Sequence, residues 1–292
     1  MSDSSTAAVV AAERKNTADV AASKPVPPTP SKKDKSKANV VLIHGLFQNP
    51  LSWADWVTFF EERDFRCEAI AYPCHDGDPK DLRANPDPKL GTLTLNDVVE
   101  HVVARLDAMG MQQPIVVGHS MGGLVVQKLV ALKRASLGVC ISTAPPKGVL
   151  SFKWSFLKCN IGTVNPFAGD SICKPSVEWF HAAFTNTMTL EQTRDIYDRL
   201  VVYESRNIPR SGTKADGAID FTRPHAPLLF IAGEADTIIP HSLVEKNMKA
   251  YTDAASVKDW KLFPGKTHFI CGQDGWEEVA QFVVDWIAAK QS

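Results

Sequence analysis

From Asn39 onward the chain alternates between two hydrophobic rhythms. Val40-Val41-Leu42-Ile43 is an unbroken apolar, mostly β-branched run that stops at His44-Gly45. A run with no outward polar position suits a strand buried on both faces, as in a parallel sheet. Ser52 can cap a helix over residues 53–63, and Cys67 to Tyr72 reads as the next strand. A polar, Pro-rich stretch from Pro73 to Leu90 reads as a loop. Leu95, Val98, Val99, Val102, Val103 and Leu106 then draw one apolar stripe at helical spacing. Strands are expected at 114–117, 137–142, 228–232 and 259–263, with helices at 121–133, 242–251 and 276–288. Strands alternating with helices imply βαβ units, a mostly parallel central sheet and helices on both of its faces.

Two segments break this rhythm. Residues 1–38 are rich in Ala, Ser, Pro and Lys and contain no aromatic residue, which predicts a disordered N-terminal arm. Residues 145–223 interrupt the alternation between two sheet strands and carry Trp154, Phe156, Phe167, Trp179, Phe180, Phe184 and Met188. This segment is expected to form short helices, the clearest over 189–203, and to serve as a cap or lid over a core made of 39–144 and 224–292.

Composition narrows the class. The apolar fraction of 44% supports an ordinary buried core, and a net charge of −1 offers no electrostatic reason to expect nucleic acid as a partner. No stretch reaches the roughly 18 apolar residues that a membrane span needs. No secretory signal is visible, so a soluble cytoplasmic protein is the expectation. None of the six cysteines forms a C-x-x-C pair, which leaves a zinc or thioredoxin-like site without support. Cys67 and Cys74 flank a strand, roughly 23 Å apart if extended at about 3.3 Å per residue, too far for a bridge. Cys159 and Cys173 share one irregular segment, where pairing stays open. The pattern leaves the oligomeric state open too, and a homodimer is compatible with it.

The chemistry centres on Ile115-Val116-Val117-Gly118-His119-Ser120-Met121-Gly122-Gly123-Leu124. A bare G-x-S-x-G is common by chance. Here it follows an apolar strand and opens an apolar helix, the setting in which such a turn exposes a serine hydroxyl at a helix N-terminus. Three further motifs accompany it: Ile43-His44-Gly45-Leu46-Phe47 after the first strand, Ala232-Gly233-Glu234-Ala235-Asp236 after a late strand, and Pro264-Gly265-Lys266-Thr267-His268 after the last.

On these four motifs the chain, from about Asn39 to Ala289, resembles the α/β-hydrolase fold superfamily. The resemblance implies a triad in the order Ser120, Asp236, His268, and an oxyanion hole formed by the backbone N–H groups of Leu46 and Met121. His44 would hold the loop by hydrogen bonds. Glu234 rivals Asp236 as the acid, and His241 and His225 are the other late histidines. Some members place the acid one strand earlier, but Ser142-Thr143-Ala144-Pro145 offers no carboxylate there. A serine hydroxyl needs a neighbouring base at neutral pH, imidazole titrates in the right range, and a carboxylate fixes its tautomer.

Hydrolysis of a carboxylic ester, lactone or thioester through an acyl-serine is therefore expected, with no metal or organic cofactor. The substrate would be a small, largely apolar molecule, with Phe47, Phe156, Trp179, Phe180 and Phe184 as candidates to line its pocket. Two alternatives use the same scaffold: a non-hydrolytic enzyme (perhydrolase or haloperoxidase, C–C hydrolase, or hydroxynitrile lyase), and a ligand-binding module without catalysis.

Overall fold

The computed structural model describes residues 37–151, 162, 165 and 167–291. The expected arm up to residue 36, the pocket candidate Phe156 and the thiol of Cys159 lie outside the described residues. Six strands make the central sheet: β1 (Asn39–Ile43), β2 (Arg66–Ile70), β3 (Ile115–His119), β4 (Leu137–Ile141), and, after the insertion, β7 (Leu228–Gly233) and β8 (Lys258–Phe263). The insertion holds β5 (Ile172–Cys173) and β6 (Glu204–Ser205), which pair antiparallel as a separate ribbon. The sheet runs in the order β2-β1-β3-β4-β7-β8, and every pairing in it is parallel.

Successive side chains of a strand point to opposite faces, and both faces here are covered. Val41, Ile43, Val116, Cys140 and Phe230 enter one core; Val40, Leu42, Val117, Val139 and Leu229 enter the other. The first core is closed by α3 (Leu95–Ala108), α4 (Met121–Ala131) and α8 (His241–Ala250), the second by α1 (Ala54–Glu61) and α9 (Trp276–Gln291). This double burial explains why the inner strands β1, β3, β4 and β7 read as apolar runs, while the edge strands β2 and β8 are largely half-buried. Register aligns the strand ends: Ile43 sits beside Gly118, His119 beside Ile141, and Gly233 beside Phe263. The loops after β1, β3, β7 and β8 therefore emerge at one edge of the sheet, the carboxyl edge where open α/β sheets bind ligands.

Three local expectations are corrected. The helix expected from residue 53 is preceded by a 3-10 turn at Pro50–Trp53, and its cap is Asn49, whose side chain accepts from the Leu51 N–H. Ser52 instead turns its hydroxyl back to donate to the Asn49 carbonyl at 2.8 Å. The Pro73–Leu90 loop contains α2 (Pro79–Ala84), started by the Asp78 carboxylate accepting from Lys80 N and by Pro79 at the first helical position. The insertion is also not purely helical. Besides α5 (Val177–Phe184), α6 (Leu190–Leu200) and α7 (Asn207–Gly212), it contains the β5–β6 ribbon. Among the described residues no helix is long and apolar enough to cross a membrane.

Candidate active site

Ser120 stands between β3 and α4 with φ 56 and ψ −118, a conformation that L side chains rarely adopt. Its surroundings hold it there. The Ser120 N–H donates to the Ile141 carbonyl at 2.9 Å, and the Ser120 carbonyl accepts from Gly123 N at 3.0 Å and Ala144 N at 2.9 Å. The motif glycines permit this closeness: a Cβ on Gly122 would lie 2.6 Å from the His44 carbonyl oxygen and closer still to that of Ile43. The helix α4 thus begins directly after Ser120, which is its N-terminal flanking residue.

Asp236 and His268 come together from the loops after β7 and β8. His268 Nδ1 lies 2.7 Å from Asp236 Oδ2, and both side chains are fully buried. Asp236 Oδ1 also accepts from the Ile239 N–H at 2.8 Å, which fixes the carboxylate plane. In the neutral ring, with the Nδ1 proton donated to the carboxylate, Nε2 would carry the lone pair. It is buried and makes no hydrogen bond among the described residues. The rival Glu234 is exposed and accepts from Gly265 N at 3.1 Å, away from the imidazole. His241 is half-buried at the start of α8, and His225 bonds the carbonyl of its neighbour Ala226.

The loop after β1 reaches the same place. A Cβ on Gly45 would sit 2.8 Å from that of Ser120, so only glycine lets the two backbones approach. His44 Nδ1 donates to the Gly45 carbonyl at 2.8 Å, Nε2 accepts from Tyr72 N at 3.1 Å, and the Tyr72 hydroxyl donates to the His44 carbonyl at 2.7 Å. Burial, and then the nearby His75, lowers the His44 pKa to about 3. The ring is neutral and acts as a brace. Among the described residues neither the Leu46 nor the Met121 N–H has a hydrogen-bond partner, although both residues are buried.

A family model described as the alpha/beta hydrolase family matches residues 40–282. The chain belongs to the alpha/beta hydrolase family. No curated protein matches it. Solved structures share the fold at low identity. A monoacylglycerol lipase from Paleococcus ferrophilus is 20% identical with a TM-score of 0.63, covering 86% of this chain and 94% of its own. An extracellular alpha/beta-hydrolase from a Paenibacillus species is 18% identical, with a TM-score of 0.64 and coverages of 85% and 98%. Naproxen esterase from Bacillus subtilis is 18% identical, with a TM-score of 0.60 and coverages of 87% and 85%.

In this alpha/beta hydrolase the insertion supplies an aromatic wall. Phe184 stands edge-on to the His268 ring at 4.7 Å, stacks on Phe180 at 4.5 Å, and meets Phe47 at 6.4 Å; Trp179 meets Phe47 at 5.1 Å. Phe47, Phe180 and Phe184 are fully buried and Trp179 is half-buried. Phe180 packs in the row behind Phe184.

Several residues outside the expected triad and oxyanion hole support the site. His119, just before the serine, brings its Nε2 to 2.8 Å from the His268 carbonyl and its Nδ1 to 3.1 Å from Gln48 Oε1. Burial, and then His268, holds the His119 pKa far below normal, so the ring is neutral and donates at one nitrogen only. The carbonyl cannot donate, so Nε2 carries the proton. Nδ1 then accepts from the Gln48 amide, whose nitrogen and oxygen exchange places at no steric cost. The Asn186 side chain donates to the Ala235 carbonyl at 3.1 Å, and the Thr237 hydroxyl donates to the Ala182 carbonyl at 2.8 Å, tying the insertion to the loop of Asp236. The position of His119 beside the serine was a usable signal; Asn186 and Thr237 had none. Among the described residues no group of three or more His, Cys, Asp or Glu side chains could hold a metal ion.

Proposed function

We propose that this protein is a serine hydrolase that cleaves a carboxylic ester, lactone or thioester of a small, largely apolar molecule through an acyl-serine intermediate. His268 carries the reading: its Nδ1 is committed to Asp236, leaving a buried Nε2 lone pair without a partner, which is the tautomer a general base requires. Ser120 Oγ would attack the carbonyl carbon while Nε2 accepts the hydroxyl proton. The oxygen of the tetrahedral intermediate would take its charge between the unengaged N–H groups of Leu46 and Met121. Collapse would expel the alcohol or thiol, which leaves with the proton from His268. Water, activated by the same nitrogen, would then release the acid. In resting enzymes the serine–histidine hydrogen bond is often long and tightens in the substrate complex, so the base need not touch the hydroxyl beforehand.

The insertion acts as a cap. In this reading the apolar side chains of Leu46, Phe47, Met121, Trp179 and Phe184 would pack against the bound substrate, with Phe180 behind Phe184, which favours an apolar acyl or alcohol group. The fold shared with the lipase and the esterase named above supports the same class. A fluorophosphonate probe and a panel of p-nitrophenyl esters, lactones and thioesters test the proposal on wild type and Ser120→Ala. Labelling and turnover in wild type, both lost in Ser120→Ala, are expected. Turnover of a β-diketone or a cyanohydrin in place of every ester would overturn ester hydrolysis, and labelling that survives Ser120→Ala would overturn the nucleophile.

A further inference from the structure

Both backbone polar groups of Phe47, the residue after Leu46, are held by one stretch of the insertion. The Phe47 carbonyl accepts from Val202 N at 3.0 Å, and the Phe47 N–H points to Glu204 Oε2 at 3.4 Å. Phe47 itself has φ 64, a left-handed conformation that a bulky residue keeps only when its neighbours impose it.

Glu204 is fully buried on β6. Its Oε1 accepts from Ser205 N at 2.8 Å and its Oε2 lies 3.1 Å from His75 Nε2. The other nitrogen of His75 faces the Pro73 carbonyl at 2.8 Å. The Pro73 carbonyl cannot donate, so Nδ1 carries hydrogen, and against the ionised carboxylate of Glu204 Nε2 carries one too, which makes the ring an imidazolium. Burial opposes that charge, but the Glu204 carboxylate and the hydrogen bonds to Glu204 and Pro73 outweigh it and raise the His75 pKa.

A buried ion pair is a costly way to close a seam that apolar side chains could fill. What apolar packing cannot do is aim an oxygen at a peptide N–H. A lone carboxylate so near a developing oxyanion would also oppose it, and the imidazolium cancels that charge. We propose that Glu204, paired with His75, is a positioning residue for the oxyanion hole, setting the direction of the Leu46 N–H by gripping Phe47 from the insertion. This inference rests on the hydrolase reading, in which Leu46 supplies one of the two donors.

The test compares wild type, Glu204→Gln and His75→Gln, with active sites counted by fluorophosphonate titration. Loss of a whole oxyanion donor lowers kcat by about 10²–10³-fold, so a misaimed donor should lower kcat per titrated site by about 10–100-fold. KM should stay within about twofold, because the donor acts in the transition state. A trifluoromethyl ketone, which forms a tetrahedral adduct on the serine, should lose affinity by the same factor as kcat/KM. His75→Gln, which keeps a donor toward Glu204, should show a smaller loss, and it decides the matter if Glu204→Gln does not fold. A folded variant with lowered Tm but unchanged kcat per titrated site and unchanged ketone affinity overturns the positioning role and leaves the hydrolase reading standing. A wild type that neither labels nor turns over any ester overturns the hydrolase reading, and this inference with it.

Discussion

Replacing Ser120 by glycine should make the protein more stable than replacing it by alanine. At φ 56 and ψ −118, Ser120 occupies the first corner of a type II′ turn, where a Cβ is crowded and glycine is at ease. Strain at such positions costs about 1–3 kcal/mol. Alanine keeps the Cβ and so keeps the strain, while both variants lack the hydroxyl, so comparing them cancels its loss. Glycine gives back roughly 0.5–1 kcal/mol through the greater freedom of the unfolded chain. Taking these ranges together, Ser120→Gly should exceed Ser120→Ala by roughly 0–2.5 kcal/mol, centred near 1. At about 2–4 °C per kcal/mol for a domain of this size, the central expectation is a Tm higher by about 2–4 °C. Scanning calorimetry on the two variants, with urea midpoints as a second measure, reads the difference directly. A glycine variant melting clearly below the alanine variant would mean that the elbow stores no strain. The hydroxyl would then owe its position to something other than a backbone forced into place by Ile141, Gly123 and Ala144.

Asp236→Asn should fold with Tm little changed, yet lose about 10⁴-fold in kcat toward esters, because an amide can hold the imidazole in the wrong tautomer; a loss below tenfold would place the acid elsewhere. Gly122→Ala drives a Cβ into the carbonyls of Ile43 and His44. At an overpacking cost of about 1–3 kcal/mol it should lower Tm by several degrees, and an unchanged Tm would show that the elbow can slide away from β1. Acid should unfold the protein early. His44 and His119 are held neutral by burial and by neighbouring histidines, whereas their unfolded counterparts take up a proton near pH 6.5. Below that pH the unfolded chain binds more protons, so each ring removes about 1.4 kcal/mol of stability per pH unit. The raised pKa of His75 adds no slope there, since both states are already protonated. Urea midpoints at pH 7, 6 and 5 should fall steeply for wild type and about half as steeply for a folded His119→Asn, and parallel slopes would remove His119 from the account.

Much of this architecture is legible in the sequence because parallel strands are buried on both sides. The run Val40–Ile43 and its counterparts in β3, β4 and β7 have no polar position to confuse their reading, and their ends announce the loops that carry Leu46, Ser120 and Asp236. The elbow is legible for a related reason: Gly118 and Gly122 sit where any side chain would strike backbone, so residue type follows from geometry. Short elements were harder. A helix of six residues such as α2 is too brief to draw an apolar stripe, and only the Asp78-Pro79 start marks it. At the first helix two residues able to cap stand three apart, and which one faces the turn is settled by the chain's path: Asn49 also donates to the Gly77 carbonyl at 2.9 Å.

The supports of the candidate site are illegible for a deeper reason. The insertion holds the loops after β1, β7 and β8 largely through main-chain groups. Val202 N grips the Phe47 carbonyl, the Phe269 N–H donates to the Phe184 carbonyl at 3.0 Å, and the carbonyls of Ala182 and Ala235 take bonds from Thr237 and Asn186. A peptide carbonyl is present whatever the side chain, so such contacts leave almost no mark on residue type. Where an insertion side chain meets a side chain of the core, as Glu204 does, its partner His75 is 129 residues away, and no periodicity joins the two. Residues that perform chemistry must be of particular kinds and can be read from the chain. Residues that aim them need only be in the right place, and in this protein that place exists only after the insertion has folded against the carboxyl edge of the sheet.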